Sequence, residues 1–272
     1  MDFSVLLSIY NKENALNLEE SLKSIYHQTK VAKEIVLVKD GELTVELEQT
    51  IERLSKLIPI LKVVGYKENK GLGYALNFGL NHCSNEIICR MDTDDIAVKD
   101  RFEKQITILE HNPDLAVIGG YMNEFEDGSF KSMGTKKVPL SKEEIKRTLK
   151  LSNPFNHPTV LFKKSIVQKL GGYSNDFLGF EDYELWARII KEGYEVINIP
   201  QVLVNFRVNK AQTSRRKGIS YIMKEFMLIR QIYKLGHISV VGLLKKLLIS
   251  IILRILPNSL FNFIITQYRR KL

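Results

Sequence analysis

The chain has 272 residues, 44% of them hydrophobic and 26% charged, with a formal net charge of +9. That length and balance suit one large α/β domain with a full core, or two small domains, and exclude a disordered or fibrous chain. The charge is uneven: residues 215–272 hold twelve Lys/Arg against one acid, Glu225, a net +11 that leaves −2 for residues 1–214. The first element in chain order is a strand over Phe3 to Ile9, reached directly from Met1-Asp2 with no basic leader, so a cytosolic protein is expected. Leu18, Leu22, Ile25 and Tyr26 recur at helical spacing within residues 16–27. Glu34 to Val38 is a second strand ending at the turn signal Lys39-Asp40-Gly41, and Leu43 to Ile58 returns to helical period. A third strand over Ile60 to Val64 precedes Asn69-Lys70-Gly71-Leu72-Gly73, which opens a helix over Tyr74 to Asn81. Glu86 to Cys89 is a fourth strand; Cys83 and Cys89 beside it are too few for a disulfide framework and read as buried thiols in a reducing compartment. This alternation predicts a parallel, doubly wound sheet.

Further along, Leu115 to Gly120 reads as a strand and 125–138 as a loop or hairpin. Ser141-Lys142-Glu143-Glu144 is a capping-box start for a helix over 145–151, broken by Asn153-Pro154 and His157-Pro158. A strand over Thr159 to Phe162, a short helix over 165–170, a helix over Tyr183 to Glu192, and strands over 195–199 and 202–208 complete the body. The expected division is a catalytic domain over 1–214 and a basic, amphipathic helical segment over 215–272.

The chemistry concentrates at Met91-Asp92-Thr93-Asp94-Asp95, three carboxylates at the C-terminal end of a strand, where open α/β sheets bind ligands. Their mutual repulsion is relieved by a divalent cation, and hard oxygen donors suit Mg²⁺ or Mn²⁺. A turn or helix cap would use the same residue types. Ser8, Tyr10 and Asp40 end neighbouring strands and can hold a nucleotide at that edge, although Asp40 before Gly41 serves a turn equally well. Gly71-Leu72-Gly73 lacks the third glycine and distant acid of a dinucleotide fingerprint, which argues against NAD. Glu181-Asp182 stands at a helix start, where the macrodipole alone would favour acids; beside a metal–nucleotide site, such a carboxylate is a candidate general base. Trp186, the single tryptophan, falls one turn later, and core is favoured over a sugar-stacking platform.

Taken together, Ser8-Ile9-Tyr10-Asn11, Val38-Lys39-Asp40-Gly41, Asn69 to Asn77, Met91 to Asp95 and Glu181 to Trp186 resemble, in order and spacing, the family 2 glycosyltransferases of O-antigen and exopolysaccharide assembly, the amylovoran type included. The resemblance covers residues 1–210 and implies a GT-A fold, a mixed and mainly parallel sheet flanked by helices, with a UDP-sugar donor, a divalent metal and inversion at the anomeric carbon. It implies that Ser8, Tyr10, Asp40, Asn69 and Gly71 lie at the nucleotide, with Asp92 nearer the ribose and Asp94 the direct metal ligand. Asp182 would be the base and Glu181 its acidic neighbour; His157, Trp186 and Arg207 would lie near the acceptor or pyrophosphate. Lys39-Asp40 replaces the two acids of many relatives, and Leu76 an arginine. The Gln-x-x-Arg-Trp signature of processive synthases is missing, implying one sugar per encounter. The implied reaction moves glucose or galactose, with a β-linkage, onto an N-acetylhexosamine of a polyprenyl diphosphate.

Two other classes stay in view. A nucleotidyltransferase uses a similar acidic site but depends on a Gly- and Arg-rich N-terminal loop, which Ser8-Ile9-Tyr10-Asn11-Lys12 does not supply. A nucleic-acid-binding protein would fit the basic end but leaves both acidic clusters unexplained. Val240 to Leu256 reads as one helix with Gly242, Lys246, Ser250 and Arg254 as a polar stripe on an aliphatic cylinder. It is too interrupted to span a bilayer, which takes about 20 apolar residues. Lying on the cytoplasmic membrane face is expected, with leucines inserted and basic groups at anionic lipid; packing on the body or in a homo-oligomer interface is the other use of such a helix.

Overall fold

A computed structural model describes residues 1–128, 131–208 and 219–255. Strands β1 (Phe3–Ile9), β2 (Glu34–Asp40), β3 (Leu61–Tyr66) and β4 (Ile87–Arg90) lie parallel in the order β3-β2-β1-β4. Helices α1 (Ala15–Tyr26), α2 (Val45–Leu57) and α3 (Leu72–His82) are the crossovers. β1 is apolar on both faces because both are covered: α1 and α2 bury Leu18, Leu22, Ile51 and Leu54 on one side, and α3 buries Ala75, Leu76 and Leu80 on the other. Gly79 permits the close seat of α3, since a Cβ there would lie 2.4 Å from Leu6 Cδ1.

The chain continues through β5 (Ile96–Ala97), α4 (Arg101–His111), β6 (Leu115–Glu126), β7 (Ser132–Lys136), α5 (Lys142–Leu149), β8 (Leu161–Lys163) and α6 (Lys164–Lys169). It ends in α7 (Glu181–Lys191), β9 (Glu195–Val208), α8 (Ile219–Lys234) and α9 (Val240–Ile255). The sheet reads β3-β2-β1-β4-β8-β6-β9-β5, with β7 paired to β6. Its second half is mixed: β8 runs antiparallel to β4 and β6, β9 parallel to β6, and β5 antiparallel to β9. The result is the expected GT-A class of mixed α/β sheet flanked by helices.

One sequence expectation changes. The strands expected over 195–199 and 202–208 are one, because a register shift between Gly120↔Ile199 and Tyr121↔Val202 absorbs Pro200. A bulge is where a strand tolerates a residue without an N–H. α8 sends Leu228 and Ile232 into the cluster that holds Leu185 and Trp186; the expected 214/215 boundary lies outside the described residues. α9 packs on the body through its polar stripe. Lys246 Nζ donates to Tyr183 Oη at 3.0 Å and Ser250 Oγ donates to Glu225 at 2.6 Å. The polar stripe therefore faces protein, and the aliphatic side faces out. Arg254's side chain lies outside the description. Among the described residues no helix is long and apolar enough to cross a membrane.

Candidate active site

β1, β2 and β4 leave the sheet at one edge, in register Ser8↔Val38 and Leu6↔Arg90. Beyond Arg90 the loop is held from three sides. Met91 N–H donates to Leu6 O at 3.1 Å, Ser21 Oγ to Asp92 O at 2.9 Å, and Thr93 Oγ1 to Ser8 O at 3.4 Å. Arg101, wholly buried, braces the strand end from α4 by donating from Nη2 to Arg90 O at 2.7 Å. So fixed, Asp92, Asp94 and Asp95 each bring a carboxylate oxygen within 4.8 Å of the others. Burial, then the charge of Asp92, raises the Asp94 pKa to about 6. Burial and the charges of Asp94 and Asp92 push Asp95 well above the usual carboxylate range. Asp95 Oδ1 accepts the Arg207 N–H at 2.9 Å, while Oδ2 is buried with no partner. Convergent carboxylates, costly to ionise together and with one orphaned oxygen, fit a divalent cation.

Arg90 joins this triad to the second acidic cluster. Its guanidinium is buried and paired to Asp92, while Nε and Nη1 have no partner. The same charge acts on Asp182, His157 and Tyr173. The Asp92–Asp95 loop and the start of α7 therefore belong to one site. Glu181 is buried there, and burial raises the pKa of both acids. Asp182 Oδ2 accepts from Asn153 Nδ2 at 2.6 Å, which draws its pKa back down, and Oδ1 accepts the Tyr183 N–H at 2.8 Å. Asn153 Oδ1 accepts the Phe155 N–H at 3.2 Å, so its amide must present Nδ2 to the acid. Gly73 lets α3 approach this cluster: a Cβ would meet Glu181 Cγ at 3.1 Å.

The other expected residues are placed unevenly. Asp40 is buried and accepts from Tyr66 Oη (2.9 Å), Lys70 N–H (2.7 Å) and Gly71 N–H (3.0 Å), while Asn69 Nδ2 donates to Asp40 O at 3.0 Å. The turn function of Asp40 is thus realised as a latch on the loop into α3, where Gly71 takes the φ of +87° open to glycine. Ser8 and Tyr10 stand half-buried at the adjoining strand end. His157 Nε2 meets Tyr173 Oη at 3.1 Å, and burial, then Arg90, hold its pKa well below the usual value, so the ring is neutral at pH 7. Trp186 has no exposed surface and packs on Phe155 at 5.4 Å and Phe162 at 6.5 Å. A ring without an open face gives no stacking platform, and Trp186 backs His157 with ring centroids 6.2 Å apart. Arg207 is a clamp behind the loop rather than an open anion ligand: Nε donates to Asp94 O (2.8 Å), Nη1 to Asp127 (3.0 Å) and Nη2 to Glu20 (2.6 Å). Arg90, Arg101, Asn153 and Tyr173 escaped the sequence reading. A lone arginine inside an apolar strand was the one available signal.

The profile of glycosyl transferase family 2 matches residues 4–171. The chain belongs to this family. The amylovoran biosynthesis glycosyltransferase AmsE of Erwinia amylovora is 38% identical over 268 residues, covering 98% of this chain and 99% of its own. A UDP-Gal:alpha-D-GlcNAc-diphosphoundecaprenol beta-1,3-galactosyltransferase of Escherichia coli is 37% identical over 269 residues, 99% and 97% of the two chains. Among solved structures, a Pyrobaculum calidifontis mannosyltransferase in complex with GDP-Man and Mn²⁺ superposes with a TM-score of 0.62 at 21% identity, covering 90% of this glycosyltransferase and 67% of that chain. S. aureus TarS in complex with UDP gives 0.65 at 18% identity, covering 86% and 65%. These two likenesses establish the shared fold.

Proposed function

We propose that the glycosyltransferase moves one hexose, galactose or glucose, from its UDP conjugate to a sugar on a polyprenyl diphosphate at the inner face of the cell membrane, inverting the donor to give a β-linkage in surface-polysaccharide assembly. One observation carries the inverting chemistry: two acidic clusters, Asp92–Asp95 and Glu181-Asp182, with Asp92 paired to a buried guanidinium whose charge also reaches Asp182. The name of the Escherichia coli relative supports the donor and acceptor classes. Neither a nucleotidyltransferase nor a nucleic-acid-binding protein accounts for the family membership.

The two clusters divide the work of a single displacement. An acceptor hydroxyl attacks the anomeric carbon from the side opposite the departing diphosphate. Asp182 takes the hydroxyl proton, and Asn153 aims its carboxylate and favours the ionised form against the pull of burial. Asp94, with Asp92 and Asp95, would hold Mn²⁺ or Mg²⁺, which when bound supplies a positive charge for the leaving diphosphate. Arg90 pairs with Asp92 beside it. Ser8, Tyr10 and the Asp40-latched loop at Asn69 and Gly71 form the wall assigned to the uridine, and His157 lies toward the acceptor.

A panel of nucleotide sugars with Mn²⁺, scored for free nucleotide and for transfer to a synthetic lipid-diphosphate N-acetylglucosamine, tests this reading. UDP release with galactose or glucose and a β-linked product are expected; turnover of GDP-sugars alone would overturn the donor assignment. A finer test concerns Asn153. Burial already raises the Asp182 pKa and Asn153 lowers it, so Asn153→Ala should raise it further. Since the ionised form acts, the acid limb of kcat/KM should move to higher pH, with the deficit largest at low pH. An unmoved limb would leave Asn153 with a structural role only.

A further inference from the structure

An amphipathic helix on a soluble body turns its apolar side inward. α9 does the opposite. Lys246 and Ser250 face the protein, with Lys246 also over the Tyr183 ring at 5.1 Å. Val240, Val241, Leu244, Leu248 and Ile249 point outward, each 53–60% exposed, with Lys245 among them. α8 continues the pattern with exposed Met223, Phe226 and Met227 beside exposed Arg230 and Lys234. Burying a lysine while exposing five aliphatic side chains costs stability in water unless something apolar covers the outer face.

We infer that this outer face of α9, with the exposed side of α8, lies in the interfacial layer of an anionic bilayer. The inference deepens the proposed function, resting on its lipid-borne acceptor, and names the surface that meets the lipid. Charge selects the occupant. The only acid in residues 219–255 is Glu225, bonded to Ser250, so the outward charges are cationic. A second copy docked on the same face by a two-fold axis would bring like charges together. Anionic headgroups complement them while the aliphatic side chains enter the acyl boundary. Position agrees: Lys246 holds Tyr183, and the Phe180 and Tyr221 rings lie 5.3 Å apart, tying both helices to the turn of α7 that carries Glu181 and Asp182. A bilayer on this face therefore sits beside the residues assigned to the acceptor.

The test uses the full chain and flotation with phosphatidylcholine–phosphatidylglycerol vesicles. Wild type should float with them at low salt and less at high salt. Leu244→Glu/Leu248→Glu should lower the partition at least about tenfold, the loss expected from withdrawing one inserted leucine, with UDP release to a water-soluble acceptor unchanged. Depth is read independently with Leu248→Trp. Trp186 is the single native indole and is buried, so wild type is the control. Lipids brominated on the acyl chains should quench the introduced indole and leave Trp186 bright. Wild-type partition by the double variant, or no quenching, would overturn the inference. So would a monomer whose introduced indole is already shielded in buffer, which would assign the cover to residues 256–272. A lipid-indifferent dimer dissolved by the double variant would assign it to a second copy. Flotation requires no turnover: a chain that floats but transfers no sugar sinks the proposed function alone, and one that transfers sugar but never floats sinks this inference alone.

Discussion

Asp182→Asn is expected to lower turnover about 10²- to 10⁴-fold, the usual worth of a general base, while UDP binding stays nearly unchanged. The substitution preserves shape and removes proton affinity. In the fold, Asp182 accepts two hydrogen bonds, from Asn153 and from the Tyr183 N–H. An asparagine can satisfy one of them and turns its amide NH2 on the other donor, so the structural loss is about 1–3 kcal/mol, too little to unfold a domain of this size. Steady-state transfer and titration with UDP check both halves. Normal turnover would move the base to Glu181, which is buried in the same turn and also has a raised pKa.

Asp94→Ala should lower turnover about 10²- to 10³-fold, from several kcal/mol of lost leaving-group stabilisation, and chelator should abolish wild-type turnover reversibly. A readout independent of activity comes from the apo protein. The native Asp94 pKa, about 6, lies above its unfolded value. The native state therefore holds the extra proton between the two pKa values, and stability falls as pH rises toward 6 and stays reduced above it. Removing this carboxylate should raise the metal-free Tm near pH 8, where it is ionised, and abolish the further rise that Mn²⁺ gives wild type. Thermal melts with and without Mn²⁺ measure this. Full activity of wild type in chelator, or an Asp94→Ala melt that still responds to Mn²⁺ as wild type does, would remove the metal from Asp94.

Much of the catalytic edge was legible because its signals are local. Apolar runs ending in Asp40 and Asp92 mark strand ends, Gly71-Leu72-Gly73 marks a loop into a helix, and Glu181-Asp182 marks a helix start. Five such motifs in order led to the family and hence the fold. The sequence pattern ends β6 at Gly120, whereas the strand runs on to Glu126, since glycines that normally break a strand are here required by Asn198, Phe155 and Leu203 packed against them.

Residue order alone determined the alternating elements, the three clustered carboxylates, the acids opening α7 and the basic, aliphatic end, because each depends on neighbours within a turn or a strand. Tertiary structure decided which distant groups meet. It paired Arg90 with Asp92 where its charge also reaches Asp182, turned Asn153 onto Asp182 across 29 positions, closed Asp40 onto the loop at Gly71 across 31, and spent Arg207 on Asp94, Asp127 and Glu20. It also sealed Trp186 in the core and rolled α9 so that Lys246 reaches Tyr183. A helical period shows that one side is polar and the other apolar; only the surface it packs against determines which side faces out.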